Sequence, residues 1–211
     1  MAWSLHCSRA VTNTAIHRVI EQQAASRGGD IAIVSGDRRI TYRELNQGAN
    51  ALARRLMAHG FRRGAHASVC MSHGADLAIV LLAVLKSGGS YTWTGEPVGE
   101  PAGISIQVGC DRAEDCYLYV DASALLRSAL GAASPNLPVV TRGSDVACVL
   151  SDLDGNRVIH VPHDALTALR DTDSAAPAPW AGEPGALDLW VALMTGRTVV
   201  VEGKRLEEAA A

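Results

Sequence analysis

Thr41-Tyr42-Arg43-Glu44-Leu45-Asn46-Gln47-Gly48-Ala49-Asn50-Ala51-Leu52-Ala53-Arg54-Arg55-Leu56 is the stretch on which the fold turns. It opens as a capping box. The Thr41 hydroxyl is placed to accept from the third helical amide while the Glu44 carboxylate reaches back to the cap. Leu45, Ala49, Leu52, Ala53 and Leu56 then recur at helical spacing, with Asn46, Asn50, Arg54 and Arg55 turned outward, until His59-Gly60 ends the run. This is an amphipathic helix, and a one-sided helix needs a sheet to cover.

The flanks supply that sheet. Upstream, Ile31–Ser35 and Arg38–Thr41 face each other across Gly36-Asp37, which predicts a hairpin. Before them, Ile16, Val19, Ile20 and Ala24 fall on one face of a helix over residues 14–25, stopped at Arg27-Gly28-Gly29. Downstream, His66–Met71 predicts a strand. Ala75–Lys86 is apolar nearly all round, so it predicts a helix packed on more than one side, ended by Gly88-Gly89 before a strand at Ser90–Thr94. Alternation of helix and strand in this rhythm argues for an α/β fold, a mainly parallel sheet flanked by helices.

The same reading extends to the C-terminus. Ile104–Val108, Cys116–Val120, Val146–Leu150, Val158–Val161 and Thr198–Glu202 read as strands. Residues 121–130 (capped by Asp121), 163–170 and 186–194 read as helices. Gly95–Gly103, 133–142 and 171–185 are rich in Gly or Pro and read as loops. The expectation is a single domain over 1–211, with residues 1–11 and 203–211 flexible.

Composition excludes several functions. Nearly half the residues are hydrophobic, enough for a sizeable core. The longest apolar run, Leu77–Leu85, is about half of the ~20 residues a bilayer needs, so no membrane span is expected. Residues 1–10 show no basic start followed by an apolar core, and the expected location is the cytoplasm. With net charge -3 and arginine pairs scattered among acids, nucleic acid is not an expected partner. Cys7, Cys70, Cys110, Cys116 and Cys148 are odd in number and lack CxxC spacing, as reduced core thiols do. His160-x-x-His163 is no recognised ligand spacing, and no metal site is assigned. No Gly-x-Ser-x-Gly elbow is present to expose a nucleophile.

Two short motifs now carry a resemblance. Ile40-Thr41-Tyr42-Arg43-Glu44-Leu45 is similar to the first core motif of nonribosomal peptide synthetase adenylation domains, within the wider acyl- and aminoacyl-adenylating superfamily. Leu85-Lys86-Ser87-Gly88-Gly89-Ser90-Tyr91 resembles the second, at a fitting spacing, and Ala192–Val200 resembles a later segment. The resemblance implies the N-terminal subdomain of such a domain and covers most of this chain. It reaches only the front part of a typical member.

Departures from the family pattern bear on chemistry. The family's phosphate loop follows a strand as a glycine- and hydroxyl-rich turn whose amides hold ATP phosphates. Here the matching positions are Ser151, Asp152, Asp154, Gly155, Asn156 and Arg157, in a segment about three residues shorter that keeps one glycine. Two carboxylates beside a triphosphate repel it by ~1 kcal/mol per unit charge pair at 4 Å even in water. Trp93 stands at the family's usual proline, and the short Gly95–Gly103 link leaves no room for a helix found there in the family. At the position of the aspartate that grips a substrate amino group stands Glu183. The later family motifs, including the catalytic lysine, have no counterpart.

No catalytic residue is therefore assigned, and no cofactor is expected. The first expectation is a catalytically inactive, truncated adenylation domain acting as a structural or interaction module in peptide biosynthesis. Its partner would be a peptide-synthetase domain, another assembly-line protein, or a second copy in a homodimer, on the argument that truncation exposes apolar surface. The alternatives are the N-terminal half of a split enzyme, which alone would use ATP and Mg, and a decayed fragment with no present role.

Overall fold

The computed structural model describes residues 14–93, 103–107, 117–121, 134–138, 141–151, 158–169, 178–180 and 186–201; in 103–107, 117–121, 151 and 178–180 it describes the backbone alone. In chain order the elements are α1 (Ile16–Ser26), β1 (Ile31–Ser35), β2 (Arg38–Thr41), α2 (Tyr42–Ala58), β3 (His66–Cys70), α3 (Ala75–Lys86), β4 (Ser90–Trp93), β5 (Gly103–Gln107) and β6 (Tyr117–Asp121). They continue with β7 (Val146–Ser151), β8 (Val158–Pro162), α4 (His163–Ala168), β9 (Ala178–Trp180), α5 (Leu187–Met194) and β10 (Val199–Val201).

The predicted sheet is two sheets, and both are mixed. One has the order β2-β1-β10-β9, the other β6-β5-β3-β4-β7-β8. Parallel pairing holds at β1–β10, β10–β9, β3–β4 and β4–β7. The remaining neighbours, β1–β2, β3–β5, β5–β6 and β7–β8, are antiparallel; at β1–β2 and β7–β8 the short link between the strands permits no crossover. Helix α3 explains the division. It touches β1 of one sheet and β4 of the other, and all its residues from Leu77 to Lys86 are buried. A helix enclosed on every side needs apolar residues on every side, which is why its sequence lacks a polar stripe.

The predicted capping box is present. Thr41 Oγ1 accepts from the Glu44 amide at 3.2 Å, and the Thr41 amide donates to the Glu44 carboxylate at 2.8 Å. Tyr42, next in the same motif, is fully buried and donates through its hydroxyl to the Leu193 and Arg197 carbonyls at 3.2 and 2.8 Å. The first motif thus fastens the start of α2 to the end of α5. Gly89 of the second motif is there for space. A Cβ at that position would lie 2.8 Å from the Ala65 carbonyl and collide with the buried Phe61 ring.

Three local expectations are corrected. Asn50 does not face solvent; it is fully buried and donates to the Ser134 carbonyl at 2.8 Å and to Asn136 at 3.0 Å. With Asn46 and Arg54 it binds the connection 134–136, so the polar side of α2 is covered by a loop's carbonyls. The stretch 171–185 contains β9, whose Pro179 is tolerated because β9 is an edge strand. Gly103 belongs to β5. The helix read at 122–130, the loop over 95–102 and the termini 1–11 and 203–211 lie outside the described residues.

Candidate functional site

The segment matched to a phosphate loop joins β7 to β8. These strands pair antiparallel with Ser151 opposite Val158, so six residues, 152–157, make the whole connection. Ser151 closes β7; Asp152, Asp154, Gly155, Asn156 and Arg157 lie outside the described residues, as does Glu183. β8 is the edge of its sheet, and Val158 and Ile159 are more than half exposed there. The C-terminal ends of β3 and β4 lie at the same end of this sheet as Ser151. They are tied together where Trp93 Nε1 donates to the Met71 carbonyl at 2.8 Å. Trp93 therefore holds two strand ends in place.

A cleft of about 1030 Å³ opens at the other end, lined by Arg63, His66, Ser90, Asp145, Val149 and His160 among others. His66 and Ser90 are register partners on adjacent parallel strands, and Thr92 sits opposite Ser68. The imidazole of His66 spans two hydroxyls, with Nδ1 2.9 Å from Ser90 Oγ and Nε2 2.9 Å from Thr92 Oγ1. Burial, and secondarily the nearby His160, holds its pKa below the usual value, so the ring is neutral at pH 7. Arg63 donates to Asp145 at 2.8 Å, and the Arg142 amide donates to the same carboxylate at 3.0 Å. These two contacts, the Arg63 hydrogen bond first, hold Asp145 below the ordinary carboxylate range.

The amides that would have to stabilise an oxyanion are spent inside the fold: Gly64 on the Gly88 carbonyl, Gly89 on Val84 and Ser90 on Ala65. The cleft offers hydroxyls, an imidazole and an ion pair for binding. Sequence reading passes over it, although the signal is present in His66, Ser68 and Cys70 alternating with Ala67 and Val69, and in Ser90 and Thr92 flanking Tyr91. One face of the sheet is thereby polar. Among the described residues the exposed large hydrophobic side chains are the neighbours Val158 and Ile159 on β8, with Leu169 and Val200 elsewhere in the chain.

The two histidines of His160-x-x-His163 part company. His160 is exposed on β8, whereas His163 is fully buried at the start of α4. Cys148 is buried against Tyr91, and burial raises its pKa to about 11, so it is an inert thiol at neutral pH. Tyr91 accepts from Trp190 Nε1 at 2.6 Å, which joins the second sheet to α5. Among the described residues no three His, Cys, Asp or Glu side chains gather in a way that would hold a metal ion. No described helix is long and apolar enough to cross a membrane.

Comparison with known proteins adds the lineage. Residues 20–102 match the family described as AMP-binding enzyme. Within the chain, 76 residues are 42% identical to tyrocidine synthase 1 of Brevibacillus parabrevis, covering 36% of this chain and 7% of that protein. Surfactin synthase subunit 2 of Bacillus subtilis (strain 168) is 40% identical over 77 residues, 36% of this chain and 2% of its own length. This chain spans only a small fraction of the curated relatives it matches. Among solved structures, the N-terminal subdomain of Klebsiella oxytoca NpsA in complex with 3-hydroxyanthranilyl-AMSN superposes with a TM-score of 0.72 at 19% identity, covering 89% of this chain and 53% of that one. An artificially fused adenylation-PCP di-domain of the same organism also reaches 0.72, at 18% identity, over 90% of this chain and 39% of its own.

Proposed function

Because this chain carries the N-terminal part of an adenylation domain, we propose that it serves nonribosomal peptide synthesis as a structural or interaction module that does not itself adenylate. The observation that carries this reading is the β7–β8 connection. Ser151 pairs with Val158, so only six residues are left to hold a triphosphate, and two of them are Asp152 and Asp154. A phosphate nest needs successive free amides and a low density of negative charge. This link offers one glycine and two carboxylates, with Arg157 to offset part of their charge. The residues present do not fit ATP, and no reaction step is assigned through it.

The partners this reading implies are the carrier and condensation units of an assembly line. The relatives' names support that setting, since they are peptide synthases many times longer than the matched stretch. The test is nucleotide binding and amino-acid-dependent exchange of pyrophosphate into ATP. The expected result is no exchange with any proteinogenic amino acid. ATP should also bind at least about tenfold more tightly when both carboxylates are neutralised in Asp152→Asn/Asp154→Asn, from ~1 kcal/mol or more per charge pair. Exchange by the unaltered chain, or equal ATP affinity in the two proteins, overturns the proposal.

A further inference from the structure

Helix α1 begins without a side-chain cap. Its N-cap is Ala15, and no acidic residue stands in its first turn. One of the amides left open by that start is met from far away in sequence. The Ile16 amide donates to Nδ1 of His163, at 3.3 Å. An acceptor nitrogen carries no proton, so the His163 hydrogen is on Nε2, which is buried and has no hydrogen-bonding partner among the described residues. The ring of His17 meets that of His163 edge-on, with centroids 5.9 Å apart, and its own Nδ1 is likewise buried and unpartnered among the described residues. Both residues are almost completely enclosed.

We propose that His163 is a protonation-sensitive latch that holds helix α1 against the rest of the fold and releases it in acid. A proton on Nδ1 abolishes the acceptor for the Ile16 amide. It also sets a cation at a helix N-terminus, where the macrodipole is positive. The charged groups around the two rings come from several elements. α1 carries Arg18 and Glu21 beside His17, and α3 carries Lys86, paired with Glu21 at 2.5 Å; Lys86 and Arg18 act on His17. The charges that act on His163 are Asp145 from the loop before β7 and Asp164 from α4 itself, and both favour its charged form against burial. Helix α5 brings Asp188, which is exposed.

Burial outweighs the two aspartates and holds the His163 pKa down at about 4; burial and then His163 itself hold His17 at about 2. A histidine whose pKa is depressed only while α1 is docked favours docking fully above its free value near 6.5. That preference is lost as pH falls from there toward the docked value. Each such histidine shifts the opening equilibrium about tenfold per pH unit in that window. Because His163 directly follows β8, release of α1 also loosens the anchor of the β7–β8 hairpin and uncovers Ile16, Val19 and Ile20.

Residue-resolved hydrogen exchange on the chain between pH 7 and 4.5, corrected for intrinsic rates, tests this. His163→Asn places a non-titrating acceptor near the position of Nδ1. The expected result is that α1 amides lose protection below about pH 6.5 while α3 amides keep theirs, and that the α1 slope is about tenfold per pH unit shallower in the variant. Equal slopes, or α3 losing protection in step with α1, overturn the proposal. Should the variant fail to fold, the ring nitrogen shifts of wild-type His163 decide. An Nε2–H tautomer whose titration coincides with α1 release supports the latch, and an Nδ1–H tautomer or release without titration overturns it.

Discussion

Lys86 Nζ donates to Glu21 Oε1 at 2.5 Å, and the two side chains are 1% and 8% exposed. The pair clamps the middle of α1 to the last turn of α3, and Arg18 holds the other carboxylate oxygen at 2.9 Å. Burial lowers the Lys86 pKa to about 8 against the pull of Glu21, so the ammonium persists at neutral pH because its partner is there. Lys86 also belongs to the second motif, where its neighbours Gly88 and Gly89 serve the backbone.

Removing one member of this pair should therefore cost more than removing both. Lys86→Met or Glu21→Gln should each lose about 3 kcal/mol of unfolding free energy, since each strands a buried polar or charged group. The double variant Glu21→Met/Lys86→Met should recover a large part of that loss. Urea unfolding of the three variants and the parent measures the coupling; strictly additive losses would show that the pair does not act as a unit.

Tyr91 and Trp190 make a second buried polar link, with no solvent to take over if it breaks. Tyr91→Phe deletes the acceptor of the Trp190 indole N–H and leaves that donor orphaned between β4 and α5. The expected loss is about 1–3 kcal/mol. Trp190→Phe in the Tyr91→Phe background should add less than it costs alone. Thermal unfolding with indole fluorescence reads both.

Gly89→Ala should destabilise by about 1–3 kcal/mol, the usual cost of overpacking a filled core. The added methyl meets Phe61, which is wholly buried, and the Ala65 carbonyl, which is held by the Ser90 amide at 3.0 Å. Phe61→Leu should restore part of the loss by making room. A neutral effect of Gly89→Ala on the unfolding midpoint would mean that the ring moves aside freely.

Legibility in the sequence follows locality. Helix α2 is readable because its start rests on two residues three apart and its face on a period of 3.6, both properties of a short window. β3, β4 and α3 are readable for the same reason, to within one residue at their ends. Asn50 is misread because its partners, Ser134 and Asn136, lie more than eighty residues away, and a polar residue on a polar stripe carries no mark of burial. β9 is missed because its Pro179 argues against a strand until one sees that only one of its sides is paired.

The candidate site divides in the same way. The carboxylates of the β7–β8 connection are a matter of residue identity, and the sequence alone places Asp152 and Asp154 between two strands. That the connection is bounded by a Ser151–Val158 pair is a matter of register, which only the assembled sheet sets. His163 shows the difference most plainly. By itself the sequence makes it a histidine at a helix start. The tertiary structure turns its Nδ1 toward an amide 147 residues earlier and removes it from water. Short-range periodicity and capping determine which elements form. Which polar groups find each other across the core depends on packing between segments distant in the chain, and with it the protonation each group must keep.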